Sequence, residues 1–335
     1  MKFFAQKFLA AAIVLVAMSS QVQAYTCSGG NIWKKLPAST KQQLTARANQ
    51  QPYASGRFFK IERNGRVSYL LGTVHVPPIK QLKLPAHVMQ KVQASKRVYL
   101  EKSVKEFDAF SDMLKANPGY YRSNGLNNFS RHFTSKQWAA VRQSLADVGW
   151  RKGAAETLRP WFIFDEISGL GCGQDNEGML LSLDARVMRV AGRYKIPMIG
   201  LETPEKVDRH YRALSERDLV DMIKSLPTLD DKFPHGGAGK AMMGMLGNED
   251  IVLTYVFEDY ISQSNPHQRG VQLRRDFTDK KILFARNKAW MPALTKAFNA
   301  GGSFVAVGAA HIGGRYGLLP MLQRKGYKIT RVSIK

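Results

Sequence analysis

The chain has 335 residues, 44% of them hydrophobic, so it can bury a large core and is neither a disordered tail nor a disulfide-stapled miniprotein. Its 50 Lys and Arg stand against 26 Asp and Glu, a formal charge of +24. Such a balance first raises nucleic acid, but no nucleic-acid-binding motif accompanies it and the start of the chain points elsewhere.

Met1–Ala24 reads as a secretory signal: basic Lys2 and Lys7, the apolar run Phe8–Met18, and Val22-Gln23-Ala24 ahead of a cleavage before Tyr25. The apolar run is shorter than the roughly 20 residues of a membrane span. The expectation is an exported protein, periplasmic or extracellular if bacterial. Its charge, reduced by the two lysines of the signal, then meets anionic membrane surfaces or acidic polymers rather than nucleic acid. Cys27 and Cys172 are the two cysteines, and in an oxidising compartment they read as one disulfide, with two buried thiols as the alternative.

Next come two β-prone runs, 57–63 and 66–71, around Asn64-Gly65, the signature of a hairpin with a type I′ turn. Further short β-rich runs occupy 97–100, 197–201, 303–307 and 328–333. Helical patterns lie between them at 135–148, 183–194, 216–225 and 285–299, and Thr134 is placed to cap the first. This order predicts one α/β domain over 25–335: a mixed central sheet with an early β-hairpin, flanked by helices, with large helical insertions at about 103–175 and 205–300. The Met- and Gly-rich stretch 232–250 reads as a loop or lid, and its Met242, Met243 and Met245 suit gap-filling better than Cu(I) binding. The chain carries no glycine-rich nucleotide loop, no Gly-x-Ser-x-Gly elbow and no His-Glu-x-x-His.

Two segments share one design. Tyr69-Leu70-Leu71 runs into Gly72-Thr73-Val74-His75, and Phe304-Val305-Ala306-Val307 runs into Gly308-Ala309-Ala310-His311. Two other predicted strands end in a carboxylate, Glu101 and Glu202. Ligands of open α/β sheets sit outside the carboxyl ends of the strands, so His75, Glu101, Glu202 and His311 are delivered to one edge. Imidazoles beside carboxylates suit a divalent transition metal such as Mn, Co or Zn, which lowers the pKa of bound water and polarises a carbonyl. The same groups also serve without metal, a histidine acting as base and a carboxylate orienting it. His87, His132, His210, His235 and His267 have no comparable placement. Asp184, at the start of a helix, reads as a cap.

These motifs, in this order, resemble the TraB/GumN family, which includes TIKI-type Wnt-inactivating metalloproteases and is distantly similar to erythromycin esterases and ChaN-like haem-binding proteins. The resemblance rests on Leu71-Gly72-Thr73-Val74-His75, Glu101, Leu201-Glu202-Thr203-Pro204-Glu205, Ala285-Arg286-Asn287 and Val307-Gly308-Ala309-Ala310-His311-Ile312-Gly313-Gly314, with Cys27, Arg159-Pro160-Trp161, Cys172 and Leu183-Asp184 alongside. It implies a mixed sheet wrapped by helices, paired Gly-x-x-His motifs at the active centre and, in the TIKI branch, metal-dependent peptide cleavage. One departure is Ala285, which stands where the family often has an acid before the Arg-Asn pair. Two readings follow. The first is an exported metal-dependent hydrolase acting on peptide or amide bonds of an unidentified peptide or small molecule. In it His75, Glu101 and His311 hold the metal, Glu202 completes the shell or acts as base, and Arg286 steadies substrate. The second is an exported protein that binds haem, a metal or a signalling peptide without turnover.

Overall fold

The computed structural model describes residues 30–75, 84–169, 182–226, 229 and 235–334. The expected signal segment, Cys27 and Cys172 lie outside these residues, and no disulfide occurs among the described ones. No helix among the described residues is long and apolar enough to cross a membrane.

The hairpin forms where the sequence places it. Strands β1 (Phe58–Arg63) and β2 (Arg66–Thr73) pair antiparallel across Asn64 and Gly65, whose φ values of 50° and 73° are those a type I′ turn needs. The other strands are β3 (Arg97–Leu100), β4 (Met198–Gly200), β5 (Ser303–Gly308) and β6 (Lys328–Arg331). They form one six-stranded mixed sheet in the order β4-β3-β5-β2-β1-β6. The four strands β4, β3, β5 and β2 run parallel, and β1 is antiparallel to both of its neighbours. The late strand β5 thus inserts between β3 and β2, with Leu100 opposite Ala306 and Thr73 opposite Gly308. That register aligns the carboxyl ends of the parallel strands.

Period-two alternation divides the core between the two faces of the sheet. Phe58, Leu71, Val98, Leu100, Phe304 and Ala306 face one side, against Val88 and the helix Leu183–Arg193. Phe59, Ile61, Leu70, Val305 and Val307 face the other, against Trp290, Leu294 and Phe298 of the helix Arg286–Ala300 and Leu318 and Leu322 of the helix Leu318–Arg324. Between β3 and β4 the described residues contain no strand, only the isolated bridge Arg122–Leu158. Helices there pack Trp138, Trp161 and Phe164 against Ile223 and Phe277 from the second helical segment. The expected cap at Thr134 is present as a capping box with Gln137, and it starts the helix Ser135–Asp147.

One stretch differs from expectation. Instead of a loop or lid, 232–250 contains the helix His235–Gly247. Met242 and Met245 are buried against Leu44 and Phe257, and Met243 is buried in the core on one face of the sheet. Burying three thioethers outweighs the roughly 1 kcal/mol that each glycine costs a helix relative to alanine.

Candidate functional site

The carboxyl ends of the parallel strands bring the expected residues together. His75 follows β2, Glu101 follows β3, Glu202 follows β4, and His311 closes the short turn Ala309–His311 after β5. The helix containing Arg286 supplies a fifth group. It is preceded by a π-helical segment, Thr278–Ala285, and Arg286 Nη1 donates back to the Ile282 carbonyl at 3.3 Å. Wide turns of this kind are common where a side chain must be re-aimed.

The glycines of the two Gly-x-x-His motifs exist for close approach. A Cβ on Gly72 would lie 2.8 Å from Ile312 Cδ1 and 3.0 Å from Ala309 Cα, so this position lets the turn after β5 rest on β2. A Cβ on Gly308 would lie 3.1 Å from both Glu101 Oε1 and His75 Nε2. Its backbone N–H donates to Glu101 Oε1 at 2.7 Å. The cleft between carboxylate and imidazole is therefore floored by bare backbone.

Arg286 is the hub of the buried part. Its Nη2 donates to Glu101 Oε2 at 2.6 Å and also to Glu202 Oε1, and its Nε donates to Glu202 Oε1 at 2.9 Å. Its Nη1 lies 3.0 Å from His311 Nε2, and the guanidinium stacks 4.9 Å from the centre of the Trp290 ring. Trp290 Nε1 donates to Glu202 Oε2 at 3.1 Å. With both oxygens engaged and a side chain only 6% exposed, Glu202 holds Arg286 and does not itself meet the histidines.

Each histidine is oriented through Nδ1. His311 Nδ1 lies 2.8 Å from Asn287 Oδ1, while Asn287 Nδ2 donates to the carbonyls of His311 and Tyr316 at 3.1 and 2.8 Å. With its NH2 so used, Asn287 accepts through Oδ1. His311 therefore carries its proton on Nδ1 and presents the Nε2 lone pair to Arg286. Burial drives its pKa down to about 3, partly opposed by Glu101 and reinforced by Arg286, so the ring is neutral. His75 Nδ1 lies 2.9 Å from Asp184 Oδ2, and Asp184 Oδ1 accepts from Thr73 Oγ1 at 2.7 Å. Asp184 raises the His75 pKa well above the ordinary imidazole value. Burial would raise the pKa of Glu101, but Arg286 and then the histidines hold it well below the usual carboxylate range.

Asp184 thus corrects the sequence reading. The cap of its helix is Ser182, whose side chain accepts from the Ala185 N–H, leaving the Asp184 carboxylate free to fix His75. Thr73, Asn287 and Trp290 also escaped the sequence reading as members of the site. Each adjoins a predicted residue: Thr73 inside the first motif, Asn287 next to Arg286, Trp290 one helical turn further on.

The cleft can be compared with what a divalent ion requires. His75 Nε2 and His311 Nε2 lie 3.6 and 3.8 Å from the same oxygen, Glu101 Oε1. Two donors bound to one ion at about 2.0–2.2 Å are separated by roughly 3–4 Å, so these spacings lie in the right range. Glu101 and Glu202 face the Arg286 guanidinium and Asp184 faces His75, so three carboxylates stand against at most two cationic groups, a surplus of negative charge that a cation complements. As they stand, no three His, Cys, Asp or Glu side chains among the described residues enclose an ion. Arg286 Nη1 takes the His311 lone pair, and Gly308 N takes one on Glu101 Oε1. In donor chemistry, and in the Asp184 and Asn287 side chains that hold the imidazoles by Nδ1, the residues fit a divalent transition ion once Arg286 yields His311. Among the described residues His75 is the exposed member of the cluster, its side chain 59% exposed, whereas those of Arg286 and His311 are 8% and 4% exposed.

The sequence model of the TraB/PrgY/gumN family matches residues 58–331, a span that contains every residue of this cluster. None of the curated proteins matches the chain.

Proposed function

From a chain that belongs to the TraB/PrgY/gumN family, we propose a metal-dependent hydrolase of peptide or amide bonds, exported from the cell, with its centre at the strand-end cluster. The observation that carries this reading is the matched orientation of two imidazoles. Asp184 and Asn287 hold His75 and His311 by Nδ1, so both Nε2 atoms are turned toward Glu101 Oε1. Carboxylate or amide support behind an imidazole is the usual arrangement behind a catalytic ion.

His75 Nε2, His311 Nε2 and Glu101 Oε1 would hold the ion, which when bound supplies Lewis acidity and an acidified water. Arg286 keeps Glu101 ionised and aimed by engaging Oε2, which leaves Oε1 for the centre. Glu202 and Trp290 lock Arg286 from behind. Substrate approaches over His75, the exposed member of the cluster. The Gly308 floor allows a planar amide to lie close to Glu101 without meeting a side chain.

Metal content of the purified protein, with cleavage of a peptide library measured with and without chelator, tests this. His75→Ala and His311→Ala should each remove bound ion and turnover, whereas His87→Ala and His267→Ala should remove neither. Full activity in His75→Ala would overturn the assignment. Stoichiometric metal binding with no cleavage of any amide would instead favour a binding protein.

A further inference from the structure

Away from the cluster, the helices Arg286–Ala300 and Leu318–Arg324 flank an open surface groove of about 620 Å³. Its lining follows helical periodicity on both sides. Lys288, Met291, Pro292 and Thr295 stand at i, i+3, i+4 and i+7 on one helix, and Met321, Arg324 and Lys325 at i, i+3 and i+4 on the other. Met291 and Met321 are largely buried and make an apolar floor, while Lys288, Arg324 and Lys325 are exposed around it. No acidic residue lines the groove, and none of these three cations forms an ion pair among the described residues. One polar group in the floor also lacks a partner. Thr295 Oγ1 is buried without a hydrogen bond.

We infer that this groove seats the headgroup region of an anionic phospholipid and docks the protein on an anionic bilayer. Three exposed cations around a short apolar recess match a phosphodiester with the first carbons of its chains. The stripe from Lys288 to Thr295 covers about two helical turns, roughly 10 Å, short for a partner protein that must bury about 800 Å² on each side. The floor holds no aromatic ring on which nucleic-acid bases stack. Charge complementarity extends beyond the groove, because the whole chain carries +24. This docking does not depend on the hydrolase reading.

The test is co-sedimentation of the protein, in the form in which cells accumulate it, with vesicles of phosphatidylcholine alone or with 30% phosphatidylglycerol. Each cation at an anionic leaflet contributes roughly fivefold to partitioning, so neutralising three should cost on the order of a hundredfold. The variant Lys288→Gln/Arg324→Gln/Lys325→Gln should therefore lose binding to the anionic vesicles. The control Arg151→Gln/Lys152→Gln/Arg217→Gln, which removes the same charge from the helical segments, should stay within a few-fold of wild type. Raising salt from 50 to 500 mM should abolish the difference, and the unfolding midpoints of both variants should match wild type. Failure of wild type to bind anionic vesicles overturns the inference, as does equal loss in the control. Loss confined to an acidic peptide or DNA oligomer, with vesicle binding intact, would also overturn it and assign the groove to another polyanion.

Discussion

Replacing Arg286 by Met keeps much of the side-chain volume and deletes the guanidinium that joins Glu101, Glu202 and His311. The Glu202 and Glu101 side chains are only 6% and 11% exposed, so water cannot take over as partner. Breaking a buried charge pair by removing one member costs roughly 3–5 kcal/mol, and here two carboxylates lose one shared partner, which places the expectation at about 4–5 kcal/mol at neutral pH. The effect should depend on pH in a defined direction. Burial raises the pKa of Glu101, and Arg286 with the histidines more than offsets it, so its folded value lies below the unfolded one. Wild type therefore gains stability from Glu101 above the unfolded pKa of about 4.3 and loses it as pH falls through the folded pKa. In the variant burial has its main opponent removed, the carboxyl binds a proton more readily, and acid relieves the defect. Urea denaturation at pH 7, 5.5 and 4, compared at equal slopes, should show the gap between the proteins narrowing toward acid. A loss below about 1 kcal/mol at pH 7, or a gap of equal size at all three pH values, would refute the hub assignment. Arg286→Lys should fall between the two, because an ammonium keeps the charge without the planar fork.

Two further outcomes follow from the geometry. Gly308→Ala places a methyl 3.1 Å from both Glu101 Oε1 and His75 Nε2; it should cost about 1–2 kcal/mol in chemical denaturation, and calorimetric titration should show weakened binding of a divalent ion. Burial, reinforced by neighbouring acids, pushes Glu166 up to about 7 and Asp208 up to about 6, while Trp150 and Tyr120 donate to them at 2.7 and 3.0 Å. Folded pKa values above the unfolded ones mean that these groups become increasingly destabilising as pH rises from about 4 to 7, by at most roughly 3 kcal/mol each. Relative to wild type, Asp208→Asn and Glu166→Gln should therefore be more favourable at pH 7.5 than at pH 4.5 in urea denaturation, and a relative gain that shrinks with rising pH would contradict the cause given.

What the amino-acid order determined by itself is local. Asn64-Gly65 admits the left-handed backbone of a type I′ turn, so the hairpin follows from two residues. Thr134 and Gln137 close a capping box from positions three apart. A polar residue that follows an apolar strand marks the strand's carboxyl end, which is why His75, Glu101, Glu202 and His311 were recognisable as strand-end groups. The tertiary structure alone decided which of these ends are neighbours. Inserting β5 between β3 and β2 lets Gly308 N reach Glu101 across 207 positions and Arg286 reach it across 185. A helix start suits Asp184 to capping as well as it suits Ser182, and only the approach of His75 shows which role the carboxylate takes. The glycines of 232–250 favour a loop until Leu44 and Phe257 bury the methionines beside them. Local dihedral preferences involve a few adjacent residues, whereas strand order and charge pairing arise from contacts between distant parts of the chain, and no short window of sequence contains both partners.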